Sequence, residues 1–506
     1  MNILLINPNR TYISGSKGPR LGLPLGLLYI AGKLGKDGFK PKIFDCLISP
    51  ETTLTVADNE TKHGVSDEVL KKVISVEKPN IVGITNQFTA QIDNAIHVAA
   101  LVKEVNPQII TVIGGPHVSV LGDKLLQNHK CFDFGIKGEG EYIFSEMVKR
   151  LSAGESVTDM KSVIYRNAIG KVETNEFGGF ISNLDDLPYP AYHLLDMEKY
   201  FSFFEQGLKA RPGSKARSIS MITSRGCPYN CIFCSIHLHM GKLFRYHSAD
   251  YVVEHIKYVV EKYNIKHISF EDDNFTLDIN RAKKILRGII ENNVKITWDT
   301  PNGIRADIID EELVRLMKES GCVEVIFGLE SGSQRVLDEI IDKKLDLDKV
   351  ENKIKLFSLY KIKSKAFFVI GFPGETKEEI ETTKNLSLRL YKKYGTESGL
   401  LIATPLIGTR LYELCKHDNL LVSEPNPRNL AVATQAYGEG LIKTSDFDPA
   451  YLKSVAESQT KTMAHLRFKK KLLSLSGWFK GIKFILKNPF KACRFIKKMV
   501  CRQYGK

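Results

Sequence analysis

The sequence predicts an α/β protein in which two parallel-sheet domains follow one another and a basic helical tail ends the chain. Two long stretches of the 506 residues alternate short buried-strand patterns with amphipathic helical patterns, as in parallel sheets covered by helices. A stretch with several Pro and Gly breaks lies between them. We therefore expect domains at 1–152 and 215–422, a connection at 153–214 and a C-terminal helical region at 423–506.

The first alternation predicts a doubly wound, Rossmann-like sheet. Its strand patterns are short and rich in β-branched residues: Ile3–Asn7, Lys42–Asp45, Ile81–Thr85, Ile109–Ile113 and Phe134–Ile136. Its helical patterns are Leu25–Lys36, Asp67–Glu77, Asp93–Val105 and Tyr142–Leu151. Ligands of such sheets bind beyond the carboxyl ends of the strands, so we expect a binding site at that edge.

The second alternation predicts a partial (β/α)6 barrel. Six strand patterns occur in it: Ser218–Thr223, His267–Glu271, Ile296–Asp299, Val323–Gly328, Ala366–Ile370 and Leu400–Thr404. Helical patterns fill the gaps, among them Ala249–Tyr263, Asn280–Asn292, Asp310–Ser320 and Lys377–Tyr394. Barrel chemistry takes place at the C-terminal ends of the strands, which directs attention to the loops after each strand.

The net charge of +14 is concentrated at the end of the chain. Residues 458–506 hold fourteen Lys and Arg and no Asp or Glu, so the remaining 58 basic residues equal the 58 acidic ones. A neutral body does not suggest a nucleic-acid partner. Trp478, Phe479 and Ile482 share a helical face opposite lysines, a pattern typical of contact with an anionic membrane surface. The alternatives for residues 466–506 are docking on the barrel and a disordered tail.

Neither a signal peptide nor a membrane-spanning stretch is recognisable. The apolar N-terminus has no basic region before it and no small-residue cleavage site after it, so it is expected to be a buried strand. The expected location is the cytoplasm, with the inner membrane surface as the place where the basic tail would make its contact.

Three of the nine cysteines lie within eight residues, and they carry the chemistry that the sequence predicts. Cys227, Cys231 and Cys234 follow directly on the first strand of the second alternation. Three thiolates on one loop can hold three irons of a cubane and leave the fourth iron open. The alternative is a structural zinc site that recruits His237 or His239 as its fourth ligand.

The spacing Cys-x3-Cys-x-aromatic-Cys, with Phe233 as the aromatic residue, resembles the signature of the radical S-adenosylmethionine superfamily. The resemblance implies a [4Fe–4S] cluster held by the three cysteines, with S-adenosylmethionine chelating the open iron and yielding a 5′-deoxyadenosyl radical. It also implies S-adenosylmethionine contacts on the loop and at later strand ends: Phe233, Glu271, Asp272, Asp273, Arg305, Glu330, Ser331 and Gly371. Each has an ordinary alternative, since Asp272-Asp273 could cap a helix and Gly371 could be a turn glycine.

The first domain resembles the cobalamin-binding domain that precedes many radical S-adenosylmethionine enzymes. The motifs are Leu23–Leu27, Val112–His117 and Gly138–Glu141. The cobalamin contacts that this implies are Pro8, Leu25, Gly26, Thr85, Gly114, Gly115, His117, Gly138 and Glu139. His117 could equally be a residue that starts a helix.

The loop after the first strand departs from the methionine synthase type of cobalamin domain. It begins Asn7-Pro8-Asn9-Arg10 and lacks the histidine that binds cobalt in that type, so cobalt would lack that lower ligand. A nucleotide is the competing ligand of a Rossmann-like sheet. However, neither a Gly-x-Gly-x-x-Gly motif after the first strand nor a Walker loop is present.

These features together predict an enzyme that uses a [4Fe–4S] cluster, S-adenosylmethionine and cobalamin to methylate an unactivated carbon of a small-molecule or lipid-type substrate. A reductant such as flavodoxin or ferredoxin would supply electrons. One alternative uses the same cofactors for oxidative cyclisation or rearrangement, as in the anaerobic magnesium-protoporphyrin cyclase that the architecture also resembles. Another is a non-catalytic zinc- or cobalamin-binding regulator. No catalytic side chain or particular substrate is assigned by the sequence.

Overall fold

Strands and helices alternate along most of the chain. The computed structural model describes residues 1–13, 21–57, 60–207, 217–435 and 439–472. The strands are β1 (Ile3–Asn7), β2 (Arg10–Ile13), β3 (Lys42–Asp45), β4 (Thr53–Ala57), β5 (Glu60–Gly64), β6 (Ile81–Thr85), β7 (Ile110–Gly114), β8 (Phe134–Ile136), β9 (Val163–Arg166), β10 (Val172–Thr174), β11 (Ser218–Met221), β12 (Ser224–Arg225), β13 (Arg245–Tyr246), β14 (His267–Phe270), β15 (Thr297–Ile304), β16 (Cys322–Glu330), β17 (Lys363–Ile370) and β18 (Glu397–Ile402). The α-helices are α1 (Leu25–Lys36), α2 (Asp67–Glu77), α3 (Ile92–Val105), α4 (Pro116–Asn128), α5 (Glu141–Ser152), α6 (Met197–Glu205), α7 (Ala249–Tyr263), α8 (Ile279–Glu291), α9 (Glu311–Glu319), α10 (Leu347–Leu359), α11 (Lys377–Tyr394), α12 (Arg410–His417), α13 (Pro427–Gln435) and α14 (Pro449–Leu472).

The first sheet confirms the predicted doubly wound fold. Its parallel strands stand in the order β3-β1-β6-β7-β8. Helices α1 and α5 pack together, as do α2 and α3. Because the strand order reverses between β1 and β6, the loops after these two strands diverge there and leave a crevice.

This sheet extends beyond residue 152, where the sequence suggested that the connection begins. Strands β9 and β10 add to it in antiparallel fashion next to β8. Val157, Met160 and Val163 are buried in the core beneath it. A second difference is the small antiparallel sheet β2-β5-β4. Strands β2 and β5 carry charged residues and β4 alternates threonine with apolar residues, so none of the three shows the apolar run of a buried parallel strand and the alternation pattern did not reveal them.

The second sheet confirms the predicted partial barrel. Its six strands, all parallel, stand in the chain order β11-β14-β15-β16-β17-β18. Strand β15 continues to Ile304, past its predicted end at Asp299, and its register with β16 shifts between Trp298 and Asp299 and again between Thr300 and Ile304. The short antiparallel ribbon β12–β13 stands apart from the sheet and joins the two ends of the segment 226–244.

One continuous apolar core joins the two domains. Leu25 and Leu28 of α1 belong to the same buried cluster as Phe201 of α6 and Ile256 of α7. The Tyr200 hydroxyl donates a hydrogen bond to the buried Asp45 carboxylate at the end of β3. The connection is therefore packed between the domains, which lie against each other at their carboxyl edges.

The C-terminal region folds back over both domains. Helix α13 packs against β2 and the turn Thr89–Gln91 of the first domain, and α14 packs against α11 and β18 of the second. No helix among the described residues has the length and apolar character needed to cross a bilayer. The helical face predicted around Trp478, with residues 473–506 as a whole, lies outside the described residues.

Candidate active site

The cysteine loop is held between the two strands of the ribbon β12–β13. The Cys227 N–H donates to the Gly241 carbonyl at 3.3 Å, and Gly226 has a φ of +84°. A Cβ on Gly226 would stand 2.4 Å from the Leu243 carbonyl oxygen, so only glycine fits there. Cys231 and Cys234 follow on the same loop, and all three thiols are free and half-buried.

The thiols lie in a protein environment that disfavours their charged form in the absence of a metal. Burial raises the pKa of all three, to about 12 for Cys234. The Nε2 atom of His237, a candidate zinc ligand, is 3.1 Å from the Cys227 carbonyl oxygen. Among the described residues, no three His, Cys, Asp or Glu side chains are grouped so as to hold a single metal ion.

A buried ion pair lies behind the cysteine loop. Lys343 Nζ donates to Glu330 Oε1 at 2.8 Å, and both side chains are nearly inaccessible to solvent. Burial would lower the pKa of Lys343, but the Glu330 carboxylate and Cys231 raise it above its ordinary value. A Cβ on Gly328 would lie 2.8 Å from Glu330 Oε1 and 3.0 Å from Lys343 Nζ. The glycine therefore makes room for the pair.

Arg305 fixes the turn that carries Lys343. Its guanidinium donates to the carbonyls of Lys343 and Lys344, both at 2.8 Å, and pairs with Asp307. It also lies over the ring of Tyr229, between Cys227 and Cys231, at 4.1 Å from the ring centroid. Arg305, which the resemblance assigned to S-adenosylmethionine, is thus already engaged by protein groups and supports the cysteine loop.

The two aspartates after β14 hold the backbone that leads into the cysteine loop. The Asp272 carboxylate accepts from the N–H and hydroxyl of Thr223, both at 2.5 Å, and from the Ser224 hydroxyl at 2.9 Å. Asp273 Oδ2 accepts from the Gly226 N–H at 3.2 Å. Burial, reinforced by Asp272, raises the pKa of Asp273 to about 7. Asp272 therefore orders the loop, and Asp273 lies closer to the cysteines.

The other side chains expected near S-adenosylmethionine also have protein partners. Ser220 donates to Glu271 Oε1 at 2.7 Å, and the Ser331 hydroxyl lies 3.2 Å from that of Thr383. The ring of Phe233 packs 5.7 Å from that of Phe372. The set lies at strand ends on the cysteine-loop side of the barrel, as the sequence led us to expect.

Gly371 is a turn residue held by a buried carboxylate. Glu375 Oε2 accepts from the N–H groups of Gly371 and Phe372 at 2.7 and 3.1 Å. Gly371 has a φ of +92°. The Glu375 side chain is fully buried, and its second oxygen has no hydrogen-bond partner within the described part of the chain.

A cavity opens at the reversal point of the first sheet. It lies beyond the carboxyl ends of β1 and β6, and its lining residues are Asn7, Pro8, Asn9, Arg10, Thr85, Asn86, Gln87, Phe88 and Gln91. Asn86 is 3% exposed, and its Oδ1 atom has no partner among the described residues. A buried acceptor of this kind is costly unless a donor reaches it, so the cavity is suited to a ligand that carries N–H groups.

The glycines expected near cobalamin divide into two groups. A Cβ on Gly26 or Gly114 would meet no atom within 4 Å, so these positions face open space. Gly115, with a φ of +119°, abuts the Asn86 carbonyl, and a Cβ on Gly138 would lie 2.8 Å from the Phe177 ring. The last two are therefore required by the fold itself.

The remaining residues expected near cobalamin have different surroundings. His117 lies in the first turn of α4, its Nδ1 atom 3.1 Å from the Thr89 hydroxyl, and burial lowers its pKa to about 4. Leu25 is buried in the interdomain core. The Glu139 carboxylate binds the Arg225 and Arg245 guanidiniums and the Ile181 N–H at 2.7 to 3.0 Å. Glu139 therefore has protein donors on both oxygens.

Sequence reasoning missed Lys343, Glu375, Asn86, Arg225 and Arg245. Lys343 contacts a glutamate thirteen residues earlier, and Arg245 contacts a glutamate 106 residues away. Neither pairing leaves a local pattern. Only the structure points to Lys343, because it follows a π-helical turn, Val336–Ile340, and such turns are frequent at functional sites.

Comparison with known proteins agrees with this architecture. Residues 221–386 match the radical SAM superfamily, and residues 17–148 match the B12 binding domain. An uncharacterized methyltransferase of Pyrococcus horikoshii is 35% identical over 430 residues, which cover 84% of this chain and 85% of that protein. The cytidylyl-2-hydroxyethylphosphonate methyltransferase of Streptomyces wedmorensis is 32% identical over 447 residues, which cover 82% and 81%.

A solved structure shares the fold over both domains. The radical S-adenosylmethionine methyltransferase TsrM from Kitasatospora setae superimposes with a TM-score of 0.64 at 17% identity, covering 84% of this chain and 77% of that one. The regions matched with these relatives cover most of each relative and most of this chain. The chain therefore belongs to the radical S-adenosylmethionine superfamily, among the methyltransferases that carry a B12-binding domain in front of the radical domain.

Proposed function

We propose that the protein methylates an unactivated carbon of a small-molecule or lipid-type substrate, using a [4Fe–4S] cluster, S-adenosylmethionine and cobalamin. The observation that carries this is the junction of the two domains. The cysteine loop extends from the carboxyl end of β11, and its flanking arginines contact Glu139 and Glu141 at the carboxyl end of β8. Two ligand-binding edges thus face one another, as transfer between two cofactors requires.

The residues of the cysteine loop fit a cubane better than a single ion. Cys227, Cys231 and Cys234 are three half-buried free thiols on one loop, but among the described residues no three such side chains are grouped closely enough to hold one ion. Cysteine thiolates are the usual ligands of iron–sulfur clusters. Lys343 and Arg305 bring positive charge close to Cys231, which favours the thiolate that a cluster needs. The Nε2 atom of His237 contacts the Cys227 carbonyl oxygen, and this contact competes with metal binding by that nitrogen.

The lining of the cavity in the first domain supports a binding site for the amide-rich corrin of cobalamin at this edge of the sheet. Asn86 presents an unpaired acceptor, Pro8 and Thr85 line the wall, and Gly26 and Gly114 leave open space for a large flat ligand. No histidine lies in Asn7–Arg10 after β1, which supports cobalt without that lower ligand. His117 is held neutral by burial, which lowers its pKa to about 4, and its Nδ1 atom contacts the hydroxyl of Thr89, next in the chain to the lining residue Phe88.

When bound, the cluster supplies the electron that cleaves S-adenosylmethionine, and cobalamin carries the methyl group. This chain's own residues orient and shield. The pair Glu330–Lys343 presents a fixed dipole beside Cys231, and Asp273 and Glu271 stand at the end of β14 on the same side. We assign the amino and carboxylate ends of S-adenosylmethionine to this group of charged side chains. Helix α13 lies against the turn Thr89–Gln91 and helps to exclude water from the junction.

Anaerobic reconstitution with iron and sulfide tests the first half of the proposal. We expect about four irons per chain and a cluster absorption band, together with corrin bands after incubation with cobalamin. Cys231→Ala should lose the iron, whereas Cys131→Ala, a free cysteine of the first domain, should retain it. Stoichiometric zinc in place of iron would instead favour a non-catalytic zinc-binding regulator and overturn the proposal.

Labelled S-adenosylmethionine tests the second half. A flavodoxin or ferredoxin, or dithionite in its place, reduces the reconstituted protein, and 5′-deoxyadenosine is measured. Candidate substrates are then incubated with S-adenosylmethionine whose methyl group carries deuterium. A product that gains the labelled methyl supports methylation. A product that loses hydrogens without gaining the label would identify an oxidative cyclase or rearrangement enzyme instead.

A further inference from the structure

Four charged side chains are buried together at the domain junction, and neither cofactor explains them. Glu139 comes from the loop after β8, Glu141 is the first residue of α5, and Arg225 and Arg245 come from the ribbon β12–β13. None is more than 7% exposed. Arg225 bridges the two glutamates with bonds of 2.8 and 2.7 Å, and Arg245 binds both oxygens of Glu139 at 3.0 and 2.8 Å.

We propose that these four residues, the ionic clamp, fix the cysteine loop at a set distance and angle from the cobalamin-binding edge. The inference rests on the proposed function, because it gives the clamp a task only if both cofactors bind. Its members act as positioning residues: they hold the two loops between which a methyl group must pass, and they touch no reacting atom.

The placement of the arginines at both ends of the loop supports this. Arg225 and Arg245 are direct partners across the ribbon, and Cys227, Cys231 and Cys234 lie between them in sequence. Arg245 also donates to the Met240 carbonyl at 2.8 Å, inside the same loop. A clamp on both ends restrains the whole loop, whereas a contact at one end would leave it free to pivot.

The glutamates provide the other half of the link. They lie in Gly138-Glu139-Gly140-Glu141, a motif that the sequence suggested for cobalamin. Glu139 also accepts from the Ile181 N–H at 2.7 Å, so it ties the start of the connection to the same point. The motif thus anchors the carboxyl edge of the first sheet to the radical domain through its glutamate side chains.

The clamp adds a defined relative orientation of the two domains to an interface that is otherwise apolar. The shared hydrophobic core holds the domains together without specifying their orientation closely. Two glutamates and two arginines at hydrogen-bonding distance tolerate little rotation, because any displacement leaves a buried charge unpaired. The guanidinium of Arg225 lies 5.3 Å from the Tyr29 ring centroid, and the Tyr29 hydroxyl donates to the Ile222 carbonyl at 3.4 Å.

Hydrogen exchange in the cofactor-free protein tests the clamp without any catalytic readout. The variants are Glu141→Gln, which keeps an acceptor but removes a charge, and Arg225→Lys, which keeps the charge but cannot bridge two carboxylates. We expect about tenfold faster exchange at the Cys227 and Ile181 amides in both. Leu286→Ala, a buried position of α8, serves as the control for general destabilisation. In this variant, exchange at the Cys227 and Ile181 amides should not be accelerated more than exchange at other amides of the second domain.

Electron paramagnetic resonance of the loaded protein tests the positioning itself. The magnetic interaction between cob(II)alamin and the reduced cluster reports their separation. We expect one narrow distribution in the wild type and in Leu286→Ala, and a broader one in Glu141→Gln and Arg225→Lys. Unchanged distributions and unchanged exchange in both clamp variants would overturn the inference while the proposed function stands. A wild type that binds neither cofactor would refute the proposed function, and exchange alone would then decide whether the clamp orders the loop.

Discussion

Lys343 Nζ lies 2.8 Å from Glu330 Oε1, with both side chains buried behind the cysteine loop. Glu330 adopts a φ of +62°, a left-handed conformation that a non-glycine residue takes only where its surroundings compensate for it. The Lys343 ammonium holds the Glu330 side chain in this conformation, and it also acts, with Arg305, as a positive charge on Cys231. The pair therefore links backbone strain at the end of β16 to the electrostatics of the thiols.

Lys343→Met should destabilise the protein and weaken iron binding. The substitution leaves a buried carboxylate without its partner, which costs about 3–5 kcal/mol, and it removes the cation that favours thiolate at Cys231. Urea unfolding of the cofactor-free protein and the iron content after reconstitution measure the two effects. Lys344→Met, whose side chain is 72% exposed, should change the free energy of unfolding by less than about 0.5 kcal/mol. Similar losses in both variants would contradict the role given to the pair.

Much of the fold could be predicted because its signals are local. The parallel strands carry near-continuous β-branched runs, and β1, β3, β6 and β8 occupy the predicted residues. Strands β4 and β5 could not be recognised, since Thr53–Ala57 and Glu60–Gly64 belong to the small antiparallel sheet with β2 and do not pair with the buried parallel sheet. Their polar residues suit an exposed hairpin and show no buried-strand pattern.

The candidate site likewise has a part that the sequence predicts and a part that only the structure shows. The cysteines are recognisable because one loop carries all three of them within eight residues, so their spacing can be read directly from the sequence. The groups around them depend on contacts between distant segments, such as Arg245 with Glu139. The sequence therefore indicated which loop carries the chemistry but gave Glu139 and Arg305 ligand roles, whereas both side chains are engaged by protein groups.

The buried Glu375 should make stability depend on pH near neutrality. Burial raises its pKa to about 7. The hydrogen bonds from the Gly371 and Phe372 N–H groups lower the pKa, but by less than burial raises it. A carboxyl whose folded pKa lies above its unfolded value stabilises the protein below the unfolded pKa, and this contribution is lost as the pH rises towards 7. The loss amounts to about 3 kcal/mol at 1.36 kcal/mol per pH unit.

Glu375→Gln should remove this dependence. The amide oxygen still accepts from the two N–H groups but does not titrate. Free energies of unfolding measured between pH 4.5 and about 8 should converge for wild type and variant at the acid end, with the variant more stable at the alkaline end. Asp273 titrates in the same range in both proteins, so the difference between the two curves belongs to Glu375. Parallel curves would mean that the carboxyl is not protonated near neutrality.

Two adjacent glycines allow fold and ligand binding to be separated. Gly115→Ala should cost about 2 kcal/mol or more, because its φ of +119° suits only glycine and its Cβ would stand 2.2 Å from the Asn86 carbonyl oxygen. Gly114→Ala should leave stability within about 0.5 kcal/mol and instead weaken cobalamin binding, since its Cβ would project into open space. Thermal unfolding and cobalamin titration measure the two effects. Unaltered cobalamin affinity in Gly114→Ala would indicate that the ligand does not bind at the end of β7.

Asn86→Leu should have opposite effects on the empty and the loaded protein. The Asn86 Oδ1 acceptor is buried without a partner among the described residues, so replacing it removes an unsatisfied polar group and should not lower the stability of the cofactor-free protein. A corrin amide that donates to Oδ1 would lose its acceptor, and the affinity for cobalamin should fall by about tenfold. Asn9→Leu is the contrasting variant from the same cavity, because Asn9 already bonds both the Val65 N–H and its carbonyl and its loss should destabilise the empty protein. If Asn86→Leu destabilises the empty protein as Asn9→Leu does, the amide serves the fold, and the cavity must recognise its ligand through other groups.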